Sequence, residues 1–380
     1  MLRKFKANRL FNGSAFAPKD SVLITTAMGK ILDIVPEVDA GDQIEILAGT
    51  LCPGFVNVHC HIELSHMLNM IPEHTGLVNF VQQVIQKRAA LPELKQEAMR
   101  IAEAQLYNSG TVAIGDICNS ADSIELKQKS KLYWKNFIEI TGFVDSFAAN
   151  RMAEMEAIKK SFTSKGLPAG IVPHAPYSVS KTLFGQINDA TVGEIISIHN
   201  QETAAENELY ETKTGAFIQF YNLLGIDVSN FSPTGKSSIK SWLPYFTKDQ
   251  RIISVHNTCT SRNDLHNLSV SQKENITFCI CPNANLYIEN RLPEIPVFLA
   301  EKLNIVIGTD SLASNHTLNM YEEIKTIQKY FPGIAEENIL RWATFGGASA
   351  LGVADQFGNF EKGKQPAVVI LQHGESKRIL

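Results

Sequence analysis

Short, continuous apolar runs alternate along most of this chain with longer segments whose apolar residues recur at helical spacing. Eight such runs can be traced: residues 55–60, Thr111–Ile117, Lys135–Gly142, Ala169–His174, Glu194–His199, Arg251–His256, Ile276–Pro282 and Asn304–Asp310. Val- and Ile-rich runs without polar alternation suit parallel strands covered on both faces. Glu93–Asn108, one of the intervening segments, has the spacing of a crossover helix. Eight βα units over about 300 residues predict an α/β fold, a (β/α)8 TIM barrel lengthened by insertions.

The pattern changes at both ends. Residues 1–50 carry turn signals at Asn12-Gly13, Met28-Gly29 and Ala40-Gly41 between short alternating runs, which predicts short antiparallel strands. Near the other end, Gly363-Lys364-Gln365-Pro366 precedes Ala367–Leu371, a strand expected to return to the N-terminal sheet. The expected organisation is a small β-sandwich domain from residues 1–50 plus 360–380, and a barrel over 51–359. The chain ends soon after Leu371, so the small domain is expected to be abbreviated.

Composition narrows the function. The 380 residues are 44% hydrophobic and 19% charged, as in ordinary globular chains. A net charge of −4 and a pI near 6.2 offer no long-range attraction to nucleic acid or an anionic membrane, so a small-molecule substrate is the expected partner. A homo-oligomer is compatible with this composition. The opening MLRKFKANRLF has no apolar core behind its basic residues, and no apolar run reaches membrane-span length. The six cysteines show no C-x-x-C pairing and read as buried, reduced thiols. A cytoplasmic location is expected on both counts.

Polar residues fall at the ends of the runs. CPGFVNVHCHIELSHM delivers His59 and His61, two residues apart and therefore on one face of a strand, with Cys60 on the other. An H-x-H pair alone is weak. Later runs, however, end in His174, His199, His256 and Asp310, and barrel enzymes place their chemistry at the C-terminal ends of strands. His66 lies close to the first run and is left open.

Three neutral imidazoles, His59, His61 and His199, with the Asp310 carboxylate match the preferences of Zn2+, with Fe2+ as the alternative. A bound divalent metal ion lowers the pKa of its water towards about 7. Asp310 could accept a proton from that water, and His256 could hold the resulting hydroxide. The competing readings are a helix cap for Asp310 in GTDS and a core histidine for His256. Glu202, three residues past His199 in HNQETAAENE, is the candidate proton shuttle, while Glu206 and Glu208 read as solvated helix-face charges.

The ordered set PGFVNVHCH, PHAPYSVS, HNQET, VHN and GTDSLASN resembles the amidohydrolase superfamily, in its branch of nucleobase and nucleoside deaminases, over the whole chain. That resemblance implies a (β/α)8 barrel with a terminal β-sandwich and one divalent metal, since the run that would carry a bridging lysine ends in His174. By position it implies His59, His61, His199 and Asp310 as ligands, Glu202 and His256 as proton-transfer residues, and His174 as a substrate contact. Asn315 in SLASN is a further substrate-contact candidate, with a turn role as its alternative. The implied reaction is hydrolytic deamination of a purine-like nucleobase or nucleoside, aminodeoxyfutalosine first, with hydroxide attacking the amino-bearing carbon and ammonia leaving. Two alternatives stand beside it: hydrolysis of a cyclic amide or halogenated ring, and a non-catalytic metal-binding scaffold.

Overall fold

All eight of the apolar runs are strands in the computed structural model, which describes residues 2–380. Four strands of the terminal region come first: β1 (Leu2–Leu10), β2 (Ser21–Thr26), β3 (Ile31–Pro36) and β4 (Glu45–Pro53). The eight runs follow as β5 (Phe55–Cys60), β6 (Thr111–Cys118), β7 (Tyr133–Ile140), β8 (Ala169–Pro173), β9 (Ile195–Asn200), β10 (Arg251–His256), β11 (Ile276–Ile280) and β12 (Asn304–Ile307). They pair in parallel as two four-stranded sheets, ordered β5-β6-β7-β8 and β12-β11-β10-β9. Helices connect successive strands, among them Pro92–Asn108.

The two sheets meet at two seams. The His199 amide donates to the His174 carbonyl at 2.9 Å, joining the ends of β8 and β9, and the amides of Thr309 and Asp310 donate to the His59 carbonyl at 3.0 and 3.1 Å. The second seam needs a glycine, because a Cβ at position 308 would lie 2.8 Å from the Cβ of His59. Within β5 the two faces separate as the period of two requires. Val56 and Val58 join an apolar cluster with Val255, Cys279 and Val306, while Asn57 exchanges hydrogen bonds with Thr309 on the face shared by His59. Cys60 packs with Ile62, Met99 and Leu106, away from the histidine face.

Both chain ends meet in one six-stranded sheet, ordered β14-β13-β4-β1-β2-β3, where β13 is Val368–Gln372 and β14 is Glu375–Arg378. β13 runs antiparallel to β4, pairing Val369 with Cys52 and Ile370 with Leu51. One expectation needs correction: β1 and β4 are parallel rather than antiparallel. After the returning strand, β14 adds a hairpin that the sequence pattern did not predict. The hairpin turns at His373 and Gly374, both at positive φ (52° and 79°), the geometry of a two-residue connection. Phe5, Leu23, Leu51, Phe360 and Ile370 form a small separate core there.

A buried ionic cluster ties β6 and β7 to the segment after β5. Lys127 Nζ lies 2.5 Å from Asp116 Oδ2 and 2.8 Å from Asn136 Oδ1, and Asp116 Oδ1 accepts the Ile62 amide at 2.9 Å. Both ions are fully buried. Lys127→Met would leave Asp116 buried without its cation, a loss of about 3–5 kcal/mol. Urea unfolding of the two proteins should show that difference in midpoint; equal midpoints would mean that water reaches Asp116.

Candidate metal and active site

The C-terminal ends of β5, β9 and the segment after β12 bring four donors into one place. His59, His61, His199 and Asp310 are buried, and their ligand atoms all lie within 4.8 Å of one another. His61 Nε2 is 3.1 Å from His59 Nε2 and 3.3 Å from His199 Nε2, and Asp310 Oδ1 is 3.5 and 3.3 Å from the Nε2 atoms of His59 and His61. Donor atoms bound at about 2.0–2.1 Å around one tetrahedral centre stand about 3.3 Å apart, so this spacing fits a single cation.

Three of the four donors, His59, His199 and Asp310, are shifted towards the protonation state that a cation requires. Burial drives the imidazoles of His59 and His199 down to about 3, so both are neutral at physiological pH. His199 Nδ1 donates to the His174 carbonyl at 2.8 Å, which leaves Nε2 as a bare lone pair facing the cluster. Burial opposes the charge on Asp310, but the hydrogen bond with His59 and the rings of His61 and His256 hold its carboxyl well below the usual range. Ser314 Oγ donates to Asp310 Oδ2 at 2.6 Å, fixing the carboxylate so that Oδ1 faces the imidazoles.

Several of these residues leave their strands with a left-handed backbone. Gln201, His256, Asn257 and Asp310 have φ of 44°, 70°, 59° and 58°, a conformation that costs about 1–2 kcal/mol for each non-glycine residue. The surrounding hydrogen bonds sustain the strain. Cys259 N donates to Gln201 O at 2.7 Å, and Asn257 bonds Asn200, Ser254 and Cys279.

Glu202 and His256 border the cluster. His256 Nε2 lies 3.7 Å from Glu202 Oε2, and Asn285 Nδ2 donates to His256 Nδ1 at 3.1 Å, which directs the other ring nitrogen into the site. Burial, then the charges of Asp310, Glu289 and Glu206, raise Glu202 well above the ordinary carboxyl range. A carboxyl shifted in this direction is better suited to deliver a proton than an ordinary glutamate. His174 lines the same cavity and shares a 2.7 Å contact between Nδ1 and Ser178 Oγ.

The cavity has a volume of about 490 Å³, within the range of small-molecule sites. His61, His199, Asp310, Glu202, His256 and His174 all line it. Asn315 does not. Its Nδ2 donates to Thr309 O and Glu323 Oε1 at 2.9 and 2.8 Å, so the amide braces the turn that presents Asp310.

The structure also brings in residues that the sequence reading passed over or misplaced. Glu139, on β7, is buried in the cavity wall, with Oε2 accepting from Asn119 Nδ2 at 2.8 Å and Oε1 3.6 Å from His199 Nδ1. A lone acid in the apolar run KNFIEITG was the available signal. Glu208 is exposed, but Glu206 is fully buried and not a solvated charge. Its Oε1 accepts the Gln201 amide at 2.9 Å, which ties the helix Ala204–Thr212 to the end of β9.

Burial raises Glu206 to about 7 against the lowering pull of Ser238 and of the Gln201 and Glu202 amides. The native state therefore binds this proton more tightly than the unfolded chain. Its contribution is full below the unfolded value near 4.5 and is lost as pH rises through about 7. Glu206→Gln should remove that part of the decline between pH 5 and 8, at most about 3 kcal/mol. Chemical denaturation at several pH values tests this; parallel curves for the two proteins would exclude Glu206 as the source.

Comparison with known proteins adds relatives to this geometry. Residues 50–377 match the model described as Amidohydrolase family. The aminodeoxyfutalosine deaminase of Nitratiruptor sp. is 28% identical over 325 residues, covering 80% of this chain and 74% of that protein. Helicobacter pylori aminofutalosine deaminase in complex with methylthio-coformycin superposes with a TM-score of 0.80 at 22% identity, covering 97% of this chain and 91% of that one. An adenosine deaminase from Xanthomonas campestris with bound zinc gives 0.72 at 22% identity, covering 96% and 83%. At such identities these two structures speak for the fold.

Proposed function

Because the chain belongs to the amidohydrolase family, we propose that it is a metal-dependent hydrolytic deaminase of a purine-like nucleobase or nucleoside, with an aminodeoxyfutalosine-type compound as the first candidate substrate. The observation that carries this reading is the four-donor cluster beside the buried carboxyl of Glu202 in one cavity. The 28% identity to an aminodeoxyfutalosine deaminase supports the choice of substrate. In the same reading the two parallel sheets are halves of one (β/α)8 barrel over residues 51–359, supported by their two seams. Residues 1–50 and 360–380 are then a β-sandwich, with the six-stranded sheet curled over its own core.

His59, His61, His199 and Asp310 would hold one divalent cation, zinc first and Fe2+ as the alternative. When bound, such an ion supplies a water acidified towards neutral pH at the end of the cavity where the substrate reacts. Asp310 would be the residue that accepts a proton from a water held there. Glu202 gives a proton to the ring nitrogen next to the amino-bearing carbon, and His256 orients the incoming oxygen through its inward-facing ring nitrogen. His174 contacts the substrate ring. In the net reaction water adds to the carbon, ammonia departs, and a carbonyl replaces the amino group.

A screen of amino-purines and their nucleosides for ammonia release, with metal measured on the same sample, tests the reading. Ammonia from an adenine-type compound and about one metal per chain are expected. Metal-loaded protein that releases none from the whole panel would reject it.

A further inference from the structure

Glu323, in the first turn of the helix Met320–Tyr330, is a fully buried acid outside the cavity wall, and both of its oxygens accept hydrogen bonds. Oε1 accepts from Asn315 Nδ2 at 2.8 Å, and Oε2 accepts the Asn283 amide at 2.9 Å. The two partners belong to different supports of the candidate site. Asn315 also donates to Thr309 O at 2.9 Å, which fixes the turn where Asp310 takes its φ of 58°. Asn283 lies in the first turn of the helix Pro282–Glu289, where amides lack helical acceptors and a carboxylate supplies one. Two residues on, the same helix carries Asn285, whose Nδ2 donates to His256 Nδ1 at 3.1 Å. Thr326, one turn after Glu323, ties the two helices again by donating to Asn283 Oδ1 at 2.6 Å.

We propose that Glu323 is a positioning residue: it locks the Asp310 turn and the helix behind His256 to each other, so that one metal ligand and the group orienting the incoming oxygen are set together. The inference rests on the metal-dependent deaminase reading. The place calls for a carboxylate. A glutamine has the same shape but only one acceptor oxygen, so whichever way its amide turns, Asn283 or Asn315 meets a second donor. Burial raises the Glu323 carboxyl to about 8 against the pull of the Asn283 and Asn315 donors, and the charge of Asp310 adds to the rise. The thiol of Cys281, just past β11, also feels this carboxyl. Both oxygens are free of protons at about pH 9, where the double grip is complete.

The test measures zinc affinity by chelator competition, and kcat at saturating zinc on the most active compound of the amino-purine panel, both at about pH 9. Glu323→Gln should bind zinc about 10- to 100-fold more weakly and, once loaded, turn over about 10- to 100-fold more slowly, the range for groups that orient the residues of a metal site. Glu322→Gln makes the same change of charge one residue away, on an ion pair with Lys325 at 2.7 Å, and should match wild type in both. Two further variants separate the arms: Asn315→Ala should lose zinc affinity, and Asn285→Ala should lose kcat while keeping zinc. Wild-type zinc affinity or wild-type kcat in Glu323→Gln, whatever its melting temperature, would overturn the inference. If Glu323→Gln does not fold, the arm variants decide, and full zinc affinity in Asn315→Ala or full kcat in Asn285→Ala overturns it. Zinc affinity needs no substrate. A wild type that binds zinc and releases no ammonia would therefore overturn the deaminase reading while Glu323→Gln still decides this one, and a wild type that binds no zinc would overturn both.

Discussion

Replacing Glu202 by glutamine is expected to lower kcat by about 10²–10⁴-fold, the usual contribution of a positioned acid or base, while leaving the metal content of the protein unchanged. Glutamine keeps the shape and one acceptor but cannot carry the proton. Glu202 is 3% exposed, just past β9, and burial and the neighbouring acids raise its carboxyl well above the ordinary range. It contacts none of the four donor atoms at ion-pair distance; its recorded neighbour is His256 at 3.7 Å. Loss of turnover should therefore separate cleanly from loss of metal. Steady-state kinetics and elemental analysis of one preparation make the measurement. A variant with full kcat would remove Glu202 from the proton path, and the non-catalytic scaffold would then regain ground.

The second large effect concerns His61. His61→Ala should weaken metal binding by at least about a hundredfold, since even partners outside the ligand set cost 10- to 100-fold, and turnover should fall with it. The fold should survive. The His61 ring meets other imidazoles and Asp310 rather than the apolar core, and the strand carrying His59 is fixed by Asn57 and by the His59 carbonyl. Stability offers a readout independent of activity. A cation present at 100 times its Kd stabilises the native state by about 2.7 kcal/mol, so zinc should raise the melting temperature of metal-stripped wild type and leave His61→Ala nearly unmoved. An equal rise in both would place the cation elsewhere.

Most of the strand framework was legible in the sequence, because parallel strands buried on both faces are written as unbroken Val/Ile runs. The hairpin Gln372–Glu375 was not legible although His373-Gly374 is a turn signal, since its second strand, Glu375–Arg378, is short and polar. Glu206 was misplaced for a different reason. Local charge in AENE looks like a solvent face, and only the return of the helix against the end of β9 buries it. Asn315 had two readings from sequence. The tertiary structure favours the turn, because Glu323, eight residues on, holds its amide away from the cavity.

The boundary between the two kinds of information falls along range. Period and hydrophobicity are properties of a few neighbouring residues, so the sequence by itself determined where the strands lie, that His59 and His61 share a face, and which runs end in a ligand-type side chain. Whether those ends converge depends on pairings across more than a hundred residues, such as His199 with His61 and Asp310 with His59. Those distances, the neutral imidazoles of His59 and His199 and the raised carboxyl of Glu202 exist only when the packed sheets exclude water and set remote groups side by side. Burial is what changes their chemistry, and the tertiary structure alone decides burial.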